Sequence, residues 1–288
     1  MVLGAAALVP LAPVAGLLAF GFFCAARRGL LALASAGMSL TVLASQVPLW
    51  IADDPPETGF AIRVMSANLR KGTAVPASVV SAASDRVEVL AVQELTPDLL
   101  EGLSAAGVND TFPYRYLAPR LGAYGVGLWS RYPLKDPQTL TNLHMPLIVA
   151  TLDIPRQNIA PLVAVAHTRN PWHTDEWSSD MGALGSVFDD LRQRTAEAVL
   201  VAGDLNSTLD MRSLRRLLRN GYRDGAEQAG AGWTPTFPGS MPIPPLFAID
   251  HIVTLRCTAT SVSTVTVPGS DHRALVATVI IPSVGPAR

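Results

Sequence analysis

Between Met1 and Ile51 the only charged side chains are those of Arg27 and Arg28. No other feature constrains the fold so sharply. In lipid every backbone N–H and C=O must be satisfied within the segment, so an uncharged apolar stretch of this length folds there as helix. Residues 1–26 and 29–51 each approach the ~20 apolar residues that a crossing helix needs. The pair predicts a transmembrane helical hairpin over residues 1–51, in contact with a lipid bilayer through residues 2–51. A cleaved signal peptide is the competing reading. It lacks the charged leading segment, and the apolar part is too long. Pro10 and Pro13 weaken the first helix, and Ser35, Ser39, Thr41, Ser45 and Gln46 the second. One span plus an interfacial piece is therefore an open alternative. Arg27 and Arg28 favour the cytoplasmic side for the turn, which predicts a cell-membrane protein with its remainder outside the cytoplasm.

Residues 52–60 read as a polar, proline-containing linker. From residue 61 to 283 short apolar runs alternate with helical patterns, which predicts one α/β domain. Strands are expected over residues 62–66, 87–92, 125–129, 147–153, 162–166, 199–202, 248–253 and 275–281. Helices are expected over 76–83, 97–106, 176–198 and 211–220, with Thr96 as the cap before Pro97. Cys24 and Cys257 lie in unrelated settings and imply no disulfide framework. A net charge of -1 excludes a global basic field that would gather nucleic acid, though not a local patch.

The apolar runs share one habit, which is to end in a polar residue. Val64-Met65-Ser66-Ala67-Asn68 ends in an amide, Val92-Gln93-Glu94 in an acid, Val165-Ala166-His167 in an imidazole, and Val201-Ala202-Gly203-Asp204-Leu205-Asn206 in an acid and an amide. Asp250 sits within an apolar run, and Ser270-Asp271-His272-Arg273 precedes the last one. An acid or histidine in a buried run is costly unless it is paired or metal-bound. For any single position a cap or a satisfied core group is the simpler reading. The recurrence of the pattern is what points to a site.

In this order the stretches Ser66–Leu69, Gln93-Glu94, Gly127–Leu134, His167-Thr168, Gly203–Asn206, Ile249–Ile252 and Ser270–Arg273 resemble the endonuclease/exonuclease/phosphatase superfamily, the metal-dependent phosphoesterases related to DNase I. The hairpin is similar to that of membrane-tethered bacterial members. The resemblance implies a two-sheet β-sandwich flanked by helices, in four layers, with the site at one edge. It implies that Glu94 is the main ligand of Mg²⁺ or Mn²⁺, with Asn68 and Asp271 completing the metal site. Asp204 would orient or deprotonate the attacking water. Asn206, His167 and His272 would hold the phosphoryl oxygens, and Asp250 would orient His272. The chemistry is consistent, because hydroxide attack on an anionic phosphoester needs charge neutralisation and a proton acceptor.

The resulting expectation is a membrane-anchored, divalent-metal-dependent phosphoesterase. Its substrate is a nucleic acid, a phospholipid or a small phosphoester, and no protein partner is expected. The competing class is a tethered binding or scaffold domain of the same fold without catalysis. Other residues read as structural. His251 should point to the face opposite Asp250, and His144 has no evident partner. Trp172, His173 and Trp177 fall in a loop that either lines or covers the cleft, and Tyr124 reads either as a substrate contact or as an ordinary strand-edge tyrosine. Arg212, Arg215, Arg216 and Arg219 recur at helical spacing, and that pattern is most simply a solvated helix face.

Overall fold

The computed structural model describes residues 6–84, 87–141, 143–155, 157 and 159–283. The first five residues of the expected hairpin thus lie outside the described part. Among the described residues the first sheet contains Gly59–Asn68 (β1), Val89–Gln93 (β2), Tyr114–Ala118 (β3), Val126–Ser130 (β4), Thr258–Thr266 (β11) and Arg273–Pro282 (β12). The second contains Leu134–Leu140 (β5), Leu147–Leu152 (β6), Leu162–His167 (β7), Val199–Asp204 (β8), Arg223–Asp224 (β9) and Asp250–Leu255 (β10). Their orders are β11-β12-β1-β2-β4-β3 and β5-β6-β7-β8-β10-β9.

Both sheets are mixed, and each is built around one parallel pair. β1 and β2 run parallel in one, β7 and β8 in the other. A parallel neighbour requires a crossover, supplied by the Pro76–Ser84 helix in the first case and the Thr174–Arg194 helix in the second. Helices therefore cover the outer face of each sheet. Val64, Val89, Ala91, Val163, Leu200 and Ala202 interlock between the sheets. Met65, Leu90, Val79 and Leu103 pack on one outer side, and Val199, Val201, Leu184 and Phe188 on the other. With both faces buried, the central strands have no polar face, which explains their unbroken apolar runs. The four-layer sandwich expected from the sequence is the fold observed.

Each of the eight predicted strands forms. Four further strands, β3, β5, β9 and β11, were not predicted, and the 211–220 helix is shorter than expected, spanning Arg212–Leu217.

Ahead of the domain, helices Ala12–Ala25 and Gly29–Gln46 pack against each other. Two crossing helices were expected; among the described residues one, Gly29–Trp50, is long and apolar enough to span a bilayer. The 14 residues of the first helix rise about 21 Å at ~1.5 Å each, short of a ~30 Å hydrocarbon core. Its start, with prolines at 10 and 13, is a 3-10 turn over Val9–Leu11 followed by the α-helix. The hairpin's open end rests on the domain. Gln46 Nε2 donates to Asp210 Oδ1 at 3.1 Å, Gly232 N to Leu49 O at 2.7 Å, and Asp53 N to Gln228 O at 2.7 Å.

Candidate active site

The carboxyl ends of β1, β2, β7 and β8 open on the same edge of the sandwich as the start of β10 and the approach to β12. Register places the side chains. Asn68 lies opposite Gln93, His167 opposite Asp204, and Asp250 opposite Asp204. Gly203 makes the closest of these pairings possible. A Cβ at that position would fall 1.8 Å from the Ala166 carbonyl oxygen, so any side chain there would push β8 off β7.

Asp204 is the hub. Its Oδ2 accepts from Asn68 Nδ2 at 3.0 Å, its Oδ1 from the Asn206 backbone N at 2.9 Å, and His167 Nε2 stands 3.6 Å from Oδ2. His272 joins it to Asp250, with Nδ1 at 2.8 Å from Asp250 Oδ2 and Nε2 at 3.8 Å from Asp204 Oδ2. Glu94 Oε1 accepts from Asn68 Nδ2 at 3.3 Å and lies 3.9 Å from His167 Nε2, while its Oε2 accepts from the Lys71 backbone N at 2.6 Å.

Burial and charge then set the protonation states. Burial together with the facing Asp250 raises Asp204 to about 6, against the pull of His272 and His167. Burial alone would lower His272, but the Asp250 and Asp204 carboxylates outweigh it and hold the imidazole cationic up to about 10. His167 behaves oppositely. Its burial outweighs the attraction of Asp204, so its pKa falls and the ring is neutral at pH 7. The close approach of His167 to Asp204 is therefore a contact between a neutral ring and the acid, and the positive charge at the site is that of His272. Glu94 is raised by burial in spite of its bonds from Asn68 and Lys71.

Among the non-glycine residues with left-handed backbone are four at this site, Arg70, Lys71, Glu94 and Asn206. Glu94 has φ 60° and Asn206 φ 46°, left-handed conformations that side chains rarely adopt. Such strain persists where surrounding contacts over-determine it, commonly at functional sites. Here Leu95 N bonds to Gly125 O at 3.0 Å, and Asn206 Nδ2 donates to Thr168 O at 2.9 Å.

A model of the endonuclease/exonuclease/phosphatase family matches residues 65–272, which is most of the chain and includes all eight predicted site residues. The chain belongs to the endonuclease/exonuclease/phosphatase family. Solved structures agree on the fold. A truncated Caenorhabditis elegans TDP2 superposes with a TM-score of 0.62 at 15% identity, covering 77% of this chain and 98% of that one. An endonuclease/exonuclease/phosphatase from Bacteroides vulgatus gives 0.62 at 15% identity, covering 77% and 99%. Danio rerio TDP2 complexed with a single strand DNA product gives 0.59 at 16% identity, covering 76% and 98%. No curated protein matches the sequence significantly.

In this endonuclease/exonuclease/phosphatase chain, Asn68, Glu94, His167, Asp204, Asp250 and His272 form one connected cluster. Asn206 borders it with its amide turned to Thr168. Asp271 stands at the rim, 3.7 Å from Arg70 Nε, and its charge helps raise Glu94. Ligand atoms of Asp204, Asp250 and His272 lie within 4.8 Å of one another, close enough to surround one ion. That trio differs from the expected Asn68, Glu94 and Asp271, and the two sets meet at Asn68.

Sequence reasoning gave no role to Ser270, whose hydroxyl donates to Asn68 O at 2.7 Å and accepts from His272 N at 3.0 Å. It also missed Thr236, whose hydroxyl accepts from Asp250 N at 3.4 Å, and Phe237, whose ring centroid lies 5.1 Å from that of His272. Ser270 was visible in a quoted motif. Thr236 and Phe237 arrive from a loop whose sequence carries no periodic signal. His251 points away from the site, between Asp224 Oδ2 at 2.7 Å and Ser207 O at 2.8 Å. His144 Nδ1 has a partner after all, Asp180 Oδ1 at 2.9 Å.

Proposed function

We propose that the chain is a membrane-anchored, divalent-metal-dependent phosphoesterase whose catalytic domain lies outside the cytoplasm. The observation that carries the catalytic reading is the opposition of two buried groups of different state. Asp204 titrates near 6 and His272 stays cationic to about 10, and they face each other across 3.8 Å.

The donor set fits a hard cation, Mg²⁺ or Mn²⁺. On the Glu94 side the donors are carboxylate and amide oxygens, from Glu94, Asp271 and Asn68. An imidazolium is not a ligand, so His272 serves Asp250 and Asp204 rather than the cation. The remaining uncompensated acid is Glu94, and with Asn68 and Asp271 it forms the side on which we place the metal. When bound, the ion neutralises phosphoryl charge and acidifies a water.

The protein's own groups supply the rest. Above pH 6 Asp204 is ionised and accepts the proton of the attacking water, while Asn68 Nδ2 fixes its carboxylate. His272 Nε2–H donates to a phosphoryl oxygen as negative charge grows there, and Asp250 holds the ring at Nδ1. His167, neutral, offers a second ring donor, and Asn206 offers its remaining amide hydrogen. The strained turns at Glu94 and Asn206 hold both groups ready before substrate binds, so little reorganisation is needed.

A substrate panel tests the reading. DNA, RNA, phosphoinositides, sphingomyelin and generic phosphodiesters would each be assayed with Mg²⁺, Mn²⁺ and chelator. The D. rerio TDP2 complex adds single-stranded DNA to that list. Hydrolysis that survives chelation undiminished sinks metal dependence. Protease treatment of intact cells that leaves the domain untouched sinks the assigned topology.

A further inference from the structure

The helix Arg212–Leu217 starts two residues after Asp210, the residue bonded by Gln46 at the end of the long apolar helix. Leu214 and Leu217 of this helix are buried, and Arg215 anchors it, donating from Nη1 to Glu227 Oε1 at 2.6 Å and from Nε to Leu209 O at 2.5 Å. Arg212, Arg216 and Arg219 are different. Arg212 and Arg216 share one face of the helix and Arg219 follows two residues after its end; all three are exposed, and among the described residues none makes an ion pair or a side-chain hydrogen bond. Other exposed arginines differ in this: Arg194 is engaged by Asp190 and Arg223 by Asp53, whereas Arg27, Arg28, Arg115 and Arg120 are as free as this group but are not clustered in one short segment. Like charges four residues apart repel, so Arg212 and Arg216 weaken their short helix unless something anionic covers them.

Arg216 and Arg219 also line a groove of ≈ 210 Å³ against the Thr174–Arg194 helix, together with Asp189, Asn220 and Tyr222. Asn220 Nδ2 occupies Asp189 Oδ1 at 3.1 Å, and Tyr222 donates to the Phe188 carbonyl at 2.8 Å. The two guanidinium groups are left as the groove's unengaged donors. A planar guanidinium matches a phosphate in two-point contact, and the segment that carries this pair begins two residues after Asp210, which Gln46 bonds from the end of the long apolar helix.

We infer that Arg212, Arg216 and Arg219 form a docking face for anionic phospholipid headgroups at the surface of the membrane that the hairpin enters. The inference rests on the membrane reading above and is independent of the substrate. Docking there would add a second hold to the contacts of Gln46, Leu49 and Asp53 with the domain, so the cleft meets the bilayer at a set angle.

The test uses the full chain in nanodiscs of phosphatidylcholine alone or with phosphatidylglycerol, read by hydrogen exchange over residues 205–222. With the anionic lipid, exchange at 212–219 should slow by about fivefold or more. The slowing should vanish in the Arg212→Gln/Arg216→Gln/Arg219→Gln variant, whose β8 exchange and hydrolysis rate stay as in the parent. Equal exchange in both lipids, or slowing that survives the triple substitution, overturns the proposal. So does equal slowing by inorganic phosphate, or by single-stranded DNA, in phosphatidylcholine discs, since either would make the face a site for soluble anions or nucleic acid. A chain that elutes free of lipid in both compositions overturns the membrane reading and this proposal with it. A chain retained in discs with unchanged exchange overturns this proposal alone.

Discussion

His272 and Asp250 are joined at 2.8 Å through the ring's Nδ1, so the opposite nitrogen is left facing Asp204. One imidazole thereby spans two buried carboxylates, and its charge depends on both.

The pH dependence follows from that arrangement. Asp204 must lose its proton to act as a base, so kcat/KM should rise through about pH 6, and His272 must keep its proton, so the rate should fall toward about pH 10. In Asp250→Asn the carboxylate that most raises His272 is gone. The basic limb should move to lower pH and the maximum should fall by ~100-fold. A pH–rate profile with an unmoved basic limb would separate His272 from that limb.

Glu94→Gln keeps the shape of the side chain and its contact with Asn68, but removes the acid on the proposed metal side. Divalent affinity by calorimetry should drop by at least ~10–100-fold, with hydrolysis falling in parallel. Near-normal binding of Mn²⁺ would move the metal toward the Asp204, Asp250 and His272 trio.

Gly203→Ala puts a methyl group into the Ala166 carbonyl, at the contact that holds β7 to β8. We expect a loss of about 3 kcal/mol or more, read by scanning calorimetry as a Tm lower by roughly 6–12 °C. Retention of the parent Tm would mean that the two strands do not approach as closely as described.

His251→Leu tests the buried pair on the far side of β10. Leaving Asp224 uncompensated should cost about 3–5 kcal/mol. Adding Asp224→Asn should recover part of that loss, which a double-mutant cycle in urea measures. Additive losses would show that the two side chains do not support each other.

The eight strands legible in the sequence are the eight interior strands, and the four missed ones, β3, β5, β9 and β11, are the four sheet edges. The reason is physical. An interior strand here is buried on both faces and reads as a continuous apolar run, as Val199–Ala202 does. An edge strand faces water and needs no such run. β5 carries Lys135, Asp136 and Pro137, and β11 alternates serine and threonine with its few apolar residues. Polar groups and proline on edges also discourage pairing with other chains. The same logic governs the site. Asn68, Glu94, His167 and Asp204 end interior strands, so the strand marks the residue. Thr236 and Phe237 come from an irregular loop and reach Asp250 and His272 through tertiary contacts that no local pattern encodes. His144 and Asp180, 36 residues apart, were hidden for the same reason.

β1 and β12 pair along most of their length, from Gly59 against Pro282 to Ser66 against Leu275. The strand that leaves the ribosome first in this domain therefore waits for the one that leaves last. Asn68 receives its tie from Ser270 only when nearly the entire chain has been synthesised. A nascent chain emerging across a membrane would carry an open sheet for most of its passage, unable to lock into a shape too bulky to thread. Closure of the sheet and assembly of the site arrive together, which on the proposed topology happens only after passage.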